Sequence, residues 1–131
     1  MILMDTHIWI RWLLPNDPLP PKINDFLETT DSLAVSSISC WEAVLLERLN
    51  RIELPLTVDR WLEEALSGSG VHVLPINETI AILAGRLPYH HRDPADRFII
   101  ATAIINNIKL ISFDSRFSSY VELNDLLVTS P

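Results

Sequence analysis

The chain begins with four apolar residues followed by an aspartate, Met1-Ile2-Leu3-Met4-Asp5. A run that short and unbroken reads as a strand buried on both faces, the pattern of a parallel sheet covered by helices. It constrains the whole fold, because parallel neighbours must be joined by long crossovers, usually helical. The pattern recurs at Leu33-Ala34-Val35-Ser36, at Val71-His72-Val73-Leu74 and from Ile108 to Phe113. Between these runs lie helical segments: Thr6 to Leu14, stopped at Pro15, and Pro21 to Glu28, with proline in its first turn. A third helix starts near Cys40, with Ser39 and Glu42 in the Ser-x-x-Glu spacing of a capping box. Thr57 precedes Val58 to Leu66, Asn77 precedes Glu78 to Leu87, and Asp93-Pro94 opens a helix running to about Asn107. Residues 115–131 read as a short helix and an edge strand. The expectation is an α/β fold: one three-layer α/β/α domain over residues 1–131, around a central, mostly parallel sheet of four to five strands.

Several function classes drop out on composition. Hydrophobic residues make up 48% of the chain and there are only 3 glycines, so it can bury a core and is not disordered. No apolar run reaches the roughly 18 residues of a membrane span, and the first residues are too few for a signal core, so no membrane role is expected. Cys40 is the only cysteine, which excludes an internal disulfide and fits a reducing cytoplasm. The net charge of −7 argues at face value against nucleic acid, but its distribution is uneven. Residues 1–70 carry 5 basic and 11 acidic side chains, whereas residues 71–131 carry 5 and 6. Arg86, His90, His91, Arg92 and Arg97 fall close together, and bound divalent ions would add further positive charge, so phosphate is not excluded.

Four acids stand at the mouths of the expected buried elements. Asp5 and Asp114 end apolar strands, where open parallel sheets bind their ligands. Asp96 shares a helical face with Ile99, Ile100 and Ala103, so its carboxylate begins a stripe that packs on the sheet. Glu42 opens an earlier helix. Each acid has a plain structural alternative. Asp5 could cap the following helix, Glu42 could close a capping box with Ser39, Asp93 could cap the helix at Pro94, and Asp114 could be a turn residue paired with Arg116. Taken together the four are harder to dismiss. At about 5 Å separation and an effective dielectric near 20, each pair of carboxylates repels by about 3 kcal/mol, so a cluster either protonates or holds a cation. All-oxygen donors without thiolates select Mg²⁺ or Mn²⁺, and such ions can activate water against a phosphodiester. A Mg²⁺-dependent phosphatase or phosphotransferase would also use a strand-end aspartate, although His7 stands where a haloacid-dehalogenase-type site wants its second acid. A non-catalytic binding module, with the acids serving as caps, is the other alternative. Among the aromatic residues, Trp9 and Trp41 read as core, whereas Trp12 and Trp61 are candidates for an apolar groove that accepts a partner's helix.

In chain order, these segments resemble the PIN-domain ribonucleases, specifically the VapC toxins of toxin–antitoxin pairs. Met4-Asp5-Thr6-His7-Ile8-Trp9 resembles the family's opening segment, and Ser36 to Glu42 its second acidic motif. His91-Arg92-Asp93-Pro94-Ala95-Asp96-Arg97 is similar to its Asp-Pro-x-Asp-Arg helix start, and Leu110-Ile111-Ser112-Phe113-Asp114 to its last motif, with Ser112 where threonine is commoner. The resemblance covers essentially the whole chain. It implies a PIN-like fold, Mg²⁺- or Mn²⁺-dependent endonucleolytic cleavage of RNA, inhibition of translation, a VapB-type antitoxin partner and a homodimer. It also implies that Asp5, Glu42, Asp96 and Asp114 hold the metal and carry catalysis, with Asp93 in an outer shell. Arg92, Arg97 and His91 would touch substrate phosphate. His90 and His91 could move protons, although loop histidines are more often simply solvated.

Overall fold

A computed structural model describes residues 1–90 and 93–129. Its strands are β1 (Ile2–Met4), β2 (Leu33–Ser36), β3 (His72–Leu74), β4 (Lys109–Ile111) and β5 (Leu127–Val128). Its helices are α1 (Thr6–Leu13), α2 (Pro21–Thr29), α3 (Ser37–Arg48), α4 (Val58–Leu66), α5 (Glu78–Arg86) and α6 (Pro94–Asn106). The five strands form one sheet in the order β3-β2-β1-β4-β5, and every pairing is parallel, so the expected parallel sheet is realised in full.

Period-two alternation divides the core into two layers. Ile2, Met4, Leu33, Val35 and Ile111 face one way and pack with Ile8, Trp9, Ile23, Leu27 and Trp61 of α1, α2 and α4. Leu3, Ala34 and Leu110 face the other way, against Ile80, Ala84, Ile99, Ile100 and Ala103 of α5 and α6. Strands buried on both faces favour hydrocarbon throughout, which is why β1 is apolar from end to end and β2 and β4 are polar only at one terminal residue, Ser36 and Lys109. Among the described residues no helix is long and apolar enough to cross a membrane.

The order of the strands fixes where a ligand belongs. The chain lays down β1, moves outward to β2 and β3, then returns to place β4 and β5 on the other side of β1. The reversal lies between β1 and β4, and crevices of doubly wound sheets open above the carboxyl ends of such a pair. There Asp5 N–H donates to the Ile111 carbonyl at 3.1 Å, tying the first residue beyond β1 to the end of β4.

Three local expectations are corrected. Helix α3 begins at Ser37, with Ser36 as its cap, its hydroxyl accepting from Ile38 N–H at 3.2 Å. Ser39 is therefore inside the first turn and forms no capping box with Glu42. The last long strand shrinks to Lys109–Ile111, because Ser112 and Phe113 already turn away, although Ser112 N–H still reaches the Val128 carbonyl at 3.2 Å. Val71 is buried but precedes β3, whose residues are largely exposed at the sheet edge.

Candidate active site

Four separate segments supply the acids. Asp5 is the N-cap of α1: its Oδ1 accepts from Ile8 N–H at 2.8 Å, and the Ser112 hydroxyl also bonds its carboxylate. The capping alternative is thus true of Asp5, and the cap itself aims the carboxylate into the crevice. Burial raises its pKa, against the lowering effects of Ser112, the Ile8 N–H and His7.

Glu42 lies one and a half turns into α3 and is buried. Its Oε1 accepts from the Thr6 hydroxyl, and Thr6 Oγ1 also shares a hydrogen bond of 2.8 Å with Ser39 Oγ. Both hydroxyls are fully buried, so they fix Glu42 rather than merely solvate it. Burial again raises the pKa, Thr6 opposes that, and Asp93 and Asp5 add to it. Neither hydroxyl emerged from the motifs as a site residue. The signal was present, however: Ser39 and Glu42 are three apart on one helix and therefore share a face.

Asp96 sits in the first turn of α6 and is buried. Its pKa is pushed up to about 8, by burial first and then by Asp93, Glu42, Asp5 and Asp114. Four carboxylates acting on a fifth place all of them in one electrostatic neighbourhood. Asp93 is the N-cap of α6, its Oδ1 accepting from Ala95 N–H at 3.0 Å, as its position before proline predicts.

Asp114 departs from the simple picture. Its Oδ1 accepts from Arg116 N–H at 3.0 Å and Arg116 Nε at 3.1 Å, and its Oδ2 pairs with Arg116 Nη2 at 2.9 Å. The turn-and-partner alternative describes this carboxylate, although it still raises the pKa of Asp5 and Asp96. Among the described residues, no three His, Cys, Asp or Glu side chains are already gathered as a ready ion cage. The donor set nevertheless fits a hard divalent cation: only oxygens, with Asp5, Glu42 and Asp96 buried and the Asp96 carboxyl raised by burial and by neighbouring carboxylates.

The basic residues sort differently from expectation. Arg97 is buried, and its guanidinium donates to the carbonyls of Ala84 (2.8 Å), Leu87 (2.8 Å) and Pro88 (3.0 Å) at the end of α5. A fork already committed to three carbonyls is not a phosphate ligand, which corrects that expectation. His90 lies edge-on against the Tyr120 ring, centroids 4.9 Å apart. His91 and Arg92 lie outside the described residues. Trp61 is buried and packs on Trp9 at 5.5 Å, so it lines no groove. Trp12 does line one beside α2, with Nε1 donating to Glu28. Trp41, expected in the core, is 53% exposed on α3, whose buried residues are Ser39, Glu42 and Ala43.

The sequence matches the PIN domain over residues 2–123. It is 33% identical over 120 residues to Ribonuclease VapC22 of Mycobacterium tuberculosis, covering 91% of each chain. Its fold is similar to that in the crystal structure of VapBC2 from Rickettsia felis bound to a DNA fragment from their promoter, with TM-score 0.72, 20% identity and 98% of both chains covered. It is also similar to a toxin–antitoxin complex from Klebsiella pneumoniae, with TM-score 0.69, 21% identity, and 98% of this chain and 97% of that one covered.

Proposed function

This chain belongs to the PIN-domain family and to its VapC branch, and from that premise we propose that it is a divalent-metal-dependent endoribonuclease, the toxin of a toxin–antitoxin pair. The observation that carries the reading is the convergence of Asp5, Glu42 and Asp96. All three are buried, each comes from a different element, and the charges of Asp5 and Glu42 both reach Asp96 beside the switch point of a parallel sheet. Burying several carboxylates together is costly, and folds keep such clusters where a cation or a reaction needs them.

In this reading Asp5, Glu42 and Asp96 hold Mg²⁺ or Mn²⁺, and Asp114 joins them when its pair with Arg116 opens. When bound, the ion supplies Lewis acidity toward a phosphoryl oxygen and makes the attacking water more acidic. The protein supplies positioning. Thr6 holds Glu42 at Oε1 and is itself held by Ser39, and Ile8 N–H and Ser112 hold Asp5. Asp93 stays at the helix start as an outer acid, adding negative charge without leaving its cap. A VapB-type antitoxin partner, a homodimer, a cytoplasmic site of action and inhibition of translation belong to the same proposal, supported by the relatives' character.

Cleavage of a mixed RNA pool tests it. Wild type is expected to cut RNA with Mg²⁺ or Mn²⁺ and to stop in EDTA, and Asp5→Asn and Asp96→Asn to lose at least 100-fold in rate while remaining folded by circular dichroism. Nuclease activity that survives both EDTA and the two substitutions would refute the metal site.

A further inference from the structure

Tyr89 lies in the connection between α5 and α6 and is 84% exposed, the most open large apolar side chain among the described residues. An aromatic ring left in water forfeits the burial that usually justifies it. The ring is nevertheless anchored. The Arg97 guanidinium carbon stands 4.5 Å from its centroid, and Arg97 is itself buried and fixed by the carbonyls of Ala84, Leu87 and Pro88. The ring therefore rests one face on a rigid cationic pedestal and turns the rest of its surface to water.

Position and charge indicate what it receives. Asp93, at the start of α6, is four residues on, at most about 14 Å of extended chain. Asp96, in the first turn of the same helix, belongs to the acid cluster. Chain reach thus keeps the ring within roughly 20 Å of Asp96. In a chain of net charge −7, Arg86 is also exposed three residues before Tyr89. An exposed ring accompanied by arginine is the chemistry that holds unpaired nucleotides, the ring stacking a base while arginine meets the backbone.

The geometry points to Tyr89, braced on Arg97, as a stacking platform for an unpaired RNA base one or two nucleotides from the cleaved phosphodiester. The inference rests on the ribonuclease reading above and deepens it, making Tyr89 a residue that sets substrate preference while taking no part in the chemistry. It is tested with a short single-stranded RNA carrying 2-aminopurine at each position in turn, together with cleavage kinetics. Wild type is expected to quench the fluorophore at one position near the cut. Tyr89→Ala and Tyr89→Leu should lose that quenching and raise KM about tenfold, with kcat within twofold, whereas Tyr89→Phe and Tyr89→Trp should keep wild-type values. Unchanged KM and quenching in Tyr89→Ala, with wild type cleaving normally, overturns the platform and leaves the ribonuclease reading standing. Failure of wild type to cleave RNA overturns both. A change in oligomeric mass in Tyr89→Ala with unaltered RNA kinetics assigns the ring to a protein contact and likewise overturns the platform.

Discussion

Asp96 shows how one residue trades stability for chemistry. Its carboxyl has an ordinary value of 3.8 and is pushed up to about 8 in the folded protein. Below about pH 4 it is protonated in both the folded and the unfolded chain, and burial costs nothing extra. Between there and pH 8 the folded protein keeps a proton that the unfolded chain releases, so stability falls as pH rises, and the full cost is present above pH 8. Asp96→Asn removes the titration. In EDTA it is expected to be more stable than wild type by up to roughly 5 kcal/mol at pH 7.5 and close to it near pH 4, measured by urea unfolding. A variant less stable than wild type at pH 7.5 would show that Asp96 is already compensated. Its place on the packed face was legible in the sequence, because Ile99, Ile100 and Ala103 lie at helical spacing and all are buried. The roles of Thr6 and Ser39 were not. A hydroxyl has many possible partners, and only the approach of α1 to α3 selects Glu42.

At the scale of the element, α6 carries two jobs on adjacent residues. Asp96 faces the crevice, while Arg97 turns inward and closes the carbonyl end of α5. A helix ends with unpaired carbonyls, and a forked guanidinium can meet several at once. Arg97→Ala leaves those carbonyls unmet in a buried place, with an expected loss of about 2–4 kcal/mol by urea denaturation. Arg97→Lys should recover less than half, since one ammonium cannot reproduce the fork. Equal stability of Arg97→Ala and wild type would remove the clasp, and with it the pedestal under Tyr89. Element boundaries were legible where a residue dictates the local backbone. Pro94 and Asp93 marked the start of α6, and Asn77 caps α5 as expected, accepting from Ile80 N–H at 2.9 Å. The start of α3 was misread because Ser36, Ser37 and Ser39 can all cap, and the spacing to Glu42 favoured the wrong one.

For the molecule as a whole, the fold brings the charges of positions 5, 42 and 114 to bear on Asp96, and the proposed site lies beside the strand reversal at β1. A cation that binds this arrangement and not the unfolded chain must stabilise it by mass action. Mn²⁺ at about 100 times its dissociation constant contributes about 2.7 kcal/mol, an expected rise in Tm of roughly 10 °C. The rise should vanish when Asp5 and Asp96 are both changed to Asn, as read by differential scanning calorimetry. A wild-type Tm that ignores Mn²⁺ counts against the site. The sequence by itself determined the parallel α/β architecture and nominated the acids, because burial on both faces and strand-end position leave their mark in local order. Only the tertiary structure decided which distant group each side chain meets: Glu42 on Thr6, Arg97 on the end of α5, Trp61 against Trp9. Those partners lie on different elements or compete with equally near alternatives, and packing in three dimensions, which no local periodicity encodes, chooses among them.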